Sequence, residues 1–360
     1  MKLSPKKLIF SLLQFGLWGC TLALLCWGEL CCLNQEKFSS PATNFTHLSS
    51  PSIRIAITDS GLGGLSIAAH LVKRMKMAKA YREGEIIFYN ALFSSQGGYN
   101  TLSRREDKIK IFHSALTSLE RRYNPDLIII GCNTLSVLFP ETPFARQSKI
   151  PVWTIVEPGL EMLTTALRQH PEALVIIYGT PTTIKEGTYQ EKLIRRGFLP
   201  ERIVAQACPE LEIYIERWFD QEETQWLIQG YIDESWQQIP NPQAPIIASL
   251  NCTHYAYVLP FWEKALSNSR HKLVALLNPN LKLIDPLFPE QLNHRFSKCS
   301  IKVKVVSMVP IPPETIDSIG RALNPISPAT ATALQQYELI PDLFEWQKYL
   351  HLPQNLDQEN

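Results

Sequence analysis

Two cysteines stand in matching surroundings. One apolar run, Leu127 to Ile130, leads into Gly131-Cys132-Asn133-Thr134, and another, Ile246 to Leu250, leads into Asn251-Cys252-Thr253-His254; each is followed by a stretch that reads as a helix. A cysteine placed where a strand ends and a helix opens lies near unsatisfied N–H groups and the positive end of the helix dipole, which favours its thiolate. That makes it a credible base. Stereoinversion at a carbon needs a base on one face and an acid on the other, and one side chain cannot serve both. A thiolate and a thiol together meet the requirement and exchange roles when the reaction runs backwards. Taken singly, either cysteine reads as a small buried hydrophobe. Their paired contexts argue otherwise, since both are flanked by Thr and by Asn or His, groups that hydrogen-bond a carboxylate or an ammonium.

These cysteines need strands and helices to position them. From Ile53 onward short apolar runs alternate with amphipathic stretches, the pattern of an α/β fold. The strand candidates are Ile53–Thr58, Glu85–Tyr89, Leu127–Ile130, Val152–Val156, Leu174–Tyr178 and Ile246–Leu250. Between the first two, Leu65, Ala68, Ala69, Val72 and Met75 recur at helical spacing, with Lys73, Arg74 and Lys76 largely on the other side. A parallel sheet follows. The equivalent placement of the two cysteines predicts two similar parallel-sheet half-domains facing each other across a cleft: 53–151, completed by about 254–300, and 152–253. Residues 301–360 read as a C-terminal extension, broken by Pro310, Pro312, Pro313, Pro325 and Pro328 and ending in a helix over Tyr337 to Leu350. Asp59-Ser60-Gly61-Leu62-Gly63-Gly64 closes the first strand and opens a helix. It lacks the GxGxxG order of a dinucleotide site, and reads either as a tight connection or as a turn that sets Asp59 at the cleft beside Cys132.

With 45% hydrophobic and 19% charged residues, the 360-residue chain can bury a sizeable core, which excludes disorder throughout. Thirty-five basic against 34 acidic residues leave a net charge of +1, so no global field favours nucleic acid. A small-molecule site is the better default. Cys20, Cys26, Cys31 and Cys32 crowd the N-terminus while Cys132, Cys208, Cys252 and Cys299 are scattered, a pattern of neither a disulfide framework nor a zinc site. Lys2, Lys6 and Lys7 precede an apolar stretch, Leu8 to Gly28, long enough to span a bilayer. Residues 1–33 thus read as a signal peptide or membrane anchor and 34–52 as a polar linker. Leu17-Trp18-Gly19-Cys20 loosely resembles a lipoprotein cleavage box, and a buried helix of the globular part is the bland alternative. Asn44-Phe45-Thr46 matches a glycosylation triplet.

Together these segments resemble the aspartate/glutamate racemase superfamily, closest to the glutamate racemases, over roughly Ile53 to Asp285. The resemblance rests on DSGLGGLSI at Asp59 to Ile67, GCNTLSVL at Gly131 to Leu138 and NCTHYAYVL at Asn251 to Leu259. Weaker matches lie between them in family order: VEPG at Val156, GTPTTIKEGTYQ at Gly179 and ACPELEIYIE at Ala207. It implies an isomerase that racemises glutamate or a related amino acid without a pyridoxal cofactor or a metal, in the D-amino-acid supply of the cell-wall peptidoglycan. By that resemblance Cys132 and Cys252 are the acid/base pair, Asp59 assists Cys132, His254 assists Cys252, and Glu216 is a supporting acid near the substrate ammonium. Ser60, Asn133, Thr134, Thr180, Thr183 and Thr253 are the implied substrate-binding residues.

The chain departs from the family in three places. Where glutamate racemases carry a Pro-Tyr-Gly loop that helps hold a substrate carboxylate, it reads FYNALFSSQGGYN at Phe88 to Asn100; either Gln96 and Gly97 take that place as substrate-binding residues or the loop is rebuilt. Asn251 replaces the usual Gly before Cys252, and the N-terminal segment is foreign to a cytosolic family. The alternatives are another two-cysteine isomerase (aspartate racemase, hydantoin racemase or the maleate isomerase type) and a membrane-tethered amino-acid-binding protein without turnover. The expected partners are a small amino acid and, through the N-terminus, a membrane, with a homodimer left open. Location is membrane-anchored or exported by that segment, cytoplasmic by the family.

Overall fold

The computed structural model describes residues 50–239, 241, 243–268 and 271–350. The N-terminal apolar segment with its cleavage box and four cysteines, the Asn44 triplet and nearly all of the linker lie outside the described residues. Among those described, no helix is long and apolar enough to cross a membrane, and Cys132, Cys208, Cys252 and Cys299 are free.

The apolar runs form two parallel sheets. The first has the order β10-β9-β2-β1-β3-β4, built from β1 Ser52–Asp59, β2 Glu83–Asn90, β3 Leu127–Ile130, β4 Val152–Thr154, β9 Ser300–Ser307 and β10 Glu338–Leu339. The second has the order β6-β5-β7-β8, from β5 Leu174–Gly179, β6 Ile203–Ala207, β7 Ile246–Asn251 and β8 Leu273–Leu277. Every residue of β3, β5 and β7 is buried, as continuous apolar strands covered on both faces must be. The Leu65–Ala78 helix shows why the crossovers hold. Leu65, Ala68, Ala69, Val72 and Met75 are fully buried against the first sheet while Lys73 and Lys76 face water. Burying Leu65, Val72 and Met75 stabilises by roughly 1.5–3 kcal/mol each. The helix stops at Lys79, whose left-handed backbone (φ 48°) turns its N–H onto the Met75 carbonyl.

Several expectations are corrected. The fourth strand ends at Thr154, and Val156 opens the Val156–Gln169 helix, so VEPG is helical rather than the end of a strand. Leu273–Leu277, inside the stretch expected to complete the first half, pairs with β7 in the second sheet. The first sheet is instead enlarged by the supposed extension: β9 runs beside β2 in register from Ser300↔Glu83 to Ser307↔Asn90, and the Pro313–Leu323 and Pro328–Gln335 helices follow it. No terminal helix spans Tyr337 to Leu350. That stretch holds β10 and a short 3-10 turn, Gln347–Tyr349, because Pro341 has no N–H to give a helix interior. It still covers the lobe, with Leu343 and Phe344 buried and Phe344 packed on Tyr89. The carboxyl ends of β1 and β3 meet those of β5 and β7, where ligands gather in parallel α/β sheets.

Candidate active site

Each cysteine caps a helical segment. Cys132, in extended backbone, precedes the Asn133–Leu138 helix, and Cys252 precedes the 3-10 segment Thr253–Val258. Ser60 Oγ lies 3.1 Å from Cys132 Sγ, and His254 Nδ1 lies 3.6 Å from Cys252 Sγ. Asp59 ties the two environments together. One of its oxygens accepts the Ser60 N–H at 2.7 Å, and the other accepts the Thr253 hydroxyl at 2.7 Å. On the far side of the imidazole, Glu216 Oε1 lies 2.7 Å from His254 Nε2 and accepts the Leu62 N–H at 2.7 Å. The first lobe's Asp-Ser-Gly turn is therefore bonded to the second lobe's Thr-His pair and to the Leu211–Trp218 helix.

Glycine makes this approach possible. A Cβ on Gly63 would fall 2.3 Å from Thr253 Oγ1 and 2.6 Å from His254 Nδ1, and one on Gly61 would fall 2.7 Å from Glu216 Oε1. No larger residue leaves room for the second lobe. A second seam runs through hydroxyls: Thr134 Oγ1 lies 2.7 Å from Thr180 Oγ1 and 3.5 Å from Thr183 Oγ1. Beside it, Asn133 Oδ1 accepts from Tyr189 at 2.6 Å, while Asn133 Nδ2 is buried with no partner among the described residues. Such an orphaned donor suits a ligand oxygen, since leaving it unpaired costs about 1–3 kcal/mol.

The site excludes water. Cys132 is 4% exposed and Cys252 6%. Burial pushes the Cys132 thiol well above its ordinary value, and the neighbouring Asp59 pushes it further. This corrects the expectation that the strand-end position favours a thiolate, because a partial dipole charge at a short helix does not offset loss of hydration. Cys252 is also raised by burial, but His254 opposes the rise. Burial raises Asp59, against the pull of His254, Thr253 and Cys132. Burial pushes His254 down, yet Cys252 and Glu216 overrule it and hold the imidazole well above its ordinary value. No group of three or more metal-ligating side chains occurs among the described residues.

No family model matches the chain. The glutamate racemase of Aquifex pyrophilus is 28% identical over 204 residues, 56% of this chain and 71% of that protein. Glutamate racemase 3 of Caldanaerobacter subterraneus subsp. tengcongensis is 25% identical over 232 residues, 64% of this chain and 73% of that protein. Among solved structures, glutamate racemase from Francisella tularensis in complex with D-glutamate superposes with a TM-score of 0.57 at 21% identity, covering 76% of this chain and 94% of that one. The chain is similar in sequence to glutamate racemases and shares their fold, which supports a place in the aspartate/glutamate racemase superfamily. It is a racemase-type isomerase, on the glutamate racemase side of that group.

Within this racemase the structure gathers most of the residues singled out in the sequence: Asp59, Ser60, Cys132, Thr253, His254 and Glu216 in one network, Asn133, Thr134, Thr180 and Thr183 in the adjoining seam. Gln96 and Gly97 join neither. Gln96 is exposed, with its backbone N–H on Ser94 Oγ, and Gly97 (φ 152°) faces Thr101. Gly98 comes nearer, its would-be Cβ 4.0 Å from the Ser60 carbonyl. Other residues escaped the sequence reading. Asn280 Nδ2 donates to Ser66 Oγ and to the Thr253 carbonyl, both at 3.1 Å, and Tyr257 donates to the Leu62 carbonyl at 3.0 Å. Asn278-Pro279-Asn280, a turn-forming triplet in which Asn278 caps the Asn280 N–H, was the available signal for Asn280; Tyr257 gave none.

Proposed function

We propose that the protein is a cofactor-independent racemase of glutamate or a related amino acid, with Cys132 and Cys252 as its acid/base pair. The observation that carries this is the single network in which Asp59 and Thr253 join the Ser60–Cys132 contact to the Cys252–His254 contact. One sulfur takes the α-proton as a thiolate, the other returns a proton to the opposite face as a thiol, and nothing else is consumed. Cys252 is the better resting base, because His254, supported by Glu216, is poised to hold a proton beside it, whereas Asp59 beside Cys132 favours the thiol there. Ser60, Asn133, Thr134, Thr180, Thr183 and Thr253 supply donors for the substrate's α-carboxylate, with the free Asn133 Nδ2 foremost. Hydrogen bonds to that carboxylate stabilise the negative charge that develops as the α-carbon loses its proton.

The test is solvent deuterium incorporation at the α-carbon, followed by proton NMR on the full chain with a panel of L- and D-amino acids. Exchange accompanied by inversion is expected for at least one of them. No exchange with any would favour instead a binding protein without turnover, the reading to which the rebuilt loop at Phe88 to Asn100 lends weight.

A further inference from the structure

We propose that Glu212, held by Asn100, selects the substrate's side chain, favouring one that ends in a hydrogen-bond donor, a carboxamide or an amine, over one that ends in a carboxylate. The inference rests on the racemase reading of the same site. Glu212 and Glu216 are four residues apart on the Leu211–Trp218 helix, hence one turn apart on one face. Glu216 reaches His254 and the Leu62 N–H, so that face is the one turned to the site. Glu212 Oε1 accepts from Asn100 Nδ2 at 2.9 Å, and Asn100 Oδ1 in turn accepts the Thr182 N–H at 3.4 Å. The pair therefore spans the two lobes beside the Thr180 and Thr183 seam. Through space, Glu212 acts on both Cys252 and His254.

Two features turn this position into a preference. Glu212 Oε2 is buried and has no partner among the described residues, so one acceptor is left for something that enters the site. Asn100 also ends the Phe88 to Asn100 segment that stands where the family carries its carboxylate-holding loop. Through Asn100, the end of that segment is tied to a carboxylate, Glu212, from the Leu211–Trp218 helix. Burial already raises the Glu212 carboxyl, so a substrate carboxylate arriving there either meets a like charge or forces the pair to take up a proton, a cost in both cases, whereas an amide N–H or an ammonium would satisfy Oε2 without it.

The experiment compares kcat/KM for α-proton exchange on L-glutamine, L-ornithine and L-glutamate, in the full chain and in Glu212→Gln. Wild type is expected to prefer glutamine or ornithine over glutamate by about tenfold or more, and which of the two leads tells amide from amine. Glu212→Gln, nearly isosteric, should move that ratio toward glutamate by about tenfold, chiefly through KM; a merely structural tie between Asn100 and Glu212 would lower all three rates together. Glutamate preferred by wild type overturns the proposal, as does a ratio that Glu212→Gln leaves unchanged. Should Glu212→Gln fail to fold, the wild-type ratio alone decides. Exchange only with amino acids outside these three refutes the proposal and leaves the racemase reading standing, whereas no exchange with any amino acid sinks both.

Discussion

Substituting Gly63 by Ala tests whether the glycine turn holds the two cysteine environments together. The new Cβ would lie 2.3 Å from Thr253 Oγ1, 2.6 Å from His254 Nδ1 and 2.8 Å from the His254 backbone nitrogen. Ordinary carbon contacts begin near 3.5 Å, so the Thr253–His254 turn must retreat by about 1 Å. It cannot do so by rotating a side chain alone, because one of the three atoms is backbone. Overpacking of this kind costs about 1–3 kcal/mol. Stretching the buried Thr253–Asp59 bond, made to a charged acceptor, adds about 1.5–3 kcal/mol. A displacement of about 1 Å at reacting groups lowers turnover by about a hundredfold. The measurements are a thermal melt and α-proton exchange by NMR. Gly230→Ala is the control: nothing lies within 4 Å of its added carbon, and on the exposed side of the Glu222–Gln237 helix Ala should gain up to about 1 kcal/mol. A Gly63→Ala protein with wild-type melting and exchange would refute the reasoning.

Cys132→Ala and Cys252→Ala should each abolish racemisation, measured by polarimetry, because inversion needs both faces; substantial activity in either contradicts the two-sulfur mechanism. Because His254 is held above its ordinary value, its contribution to stability is complete at pH below about 6.5, its unfolded value, and is lost as pH rises through the raised folded one. Glu216→Gln removes one of the two groups that raise it, so the alkaline decline of melting temperature, which starts near the unfolded value in both proteins, should be smaller and end at lower pH than in wild type; superimposable profiles would count against the pair. EDTA should leave the exchange rate unchanged, and a loss of activity restored by a divalent cation would point to ligands outside those assigned.

The parts of the site that could be read in the sequence are those whose chemistry is local. Cys132 with Asn133 and Thr134, Cys252 with Thr253 and His254, and Asp59 with its glycines are each a run of neighbours at a strand end. Their types announce proton transfer before any fold is known. Asn100 and Glu212 are 112 positions apart and Asn280 and Ser66 are 214, and nothing near any of them in sequence marks the meeting. The same limit applied to the fold. β3, β5 and β7 are buried on both faces and stand out as unbroken apolar runs, while β9, SIKVKVVS, alternates Lys with apolar residues and is partly exposed along its first half, so it is not among the strand candidates and falls in the C-terminal extension. Pro313 and Pro328, taken as breakers, sit in the first turns of helices, where a missing N–H costs nothing.

The raised thiols and the low exposure of both cysteines have one cause, and it bears on how a racemase of this build works. With Cys132 and Cys252 at 4% and 6% exposure, an amino acid reaches them only if the lobes part. The ties at the rim suit that need. Arg105 pairs with Glu186 at 2.8 Å and Arg321 with Asp220 at 2.5 Å, all but Glu186 more than one-third exposed or close to it, and such pairs contribute about 0–1 kcal/mol each. Lys108 adds a hydrogen bond to Thr182. These rim ties are small beside a folding stability of about 5–15 kcal/mol; the buried Asp59–Thr253, Leu62–Glu216 and Thr134–Thr180 bonds must break as well for the lobes to part. Each lobe carries one cysteine with its own helper, Ser60 beside Cys132 in the first and His254 beside Cys252 in the second. The Asp59–Thr253 bond joins the lobes over a site closed to water, where on the proposed mechanism hydrogen bonds to a developing carbanion would be worth most. On the proposed mechanism, burial that disfavours a resting thiolate is the same burial that would make proton transfer effective once an ammonium-bearing substrate adds its positive charge to that held on His254.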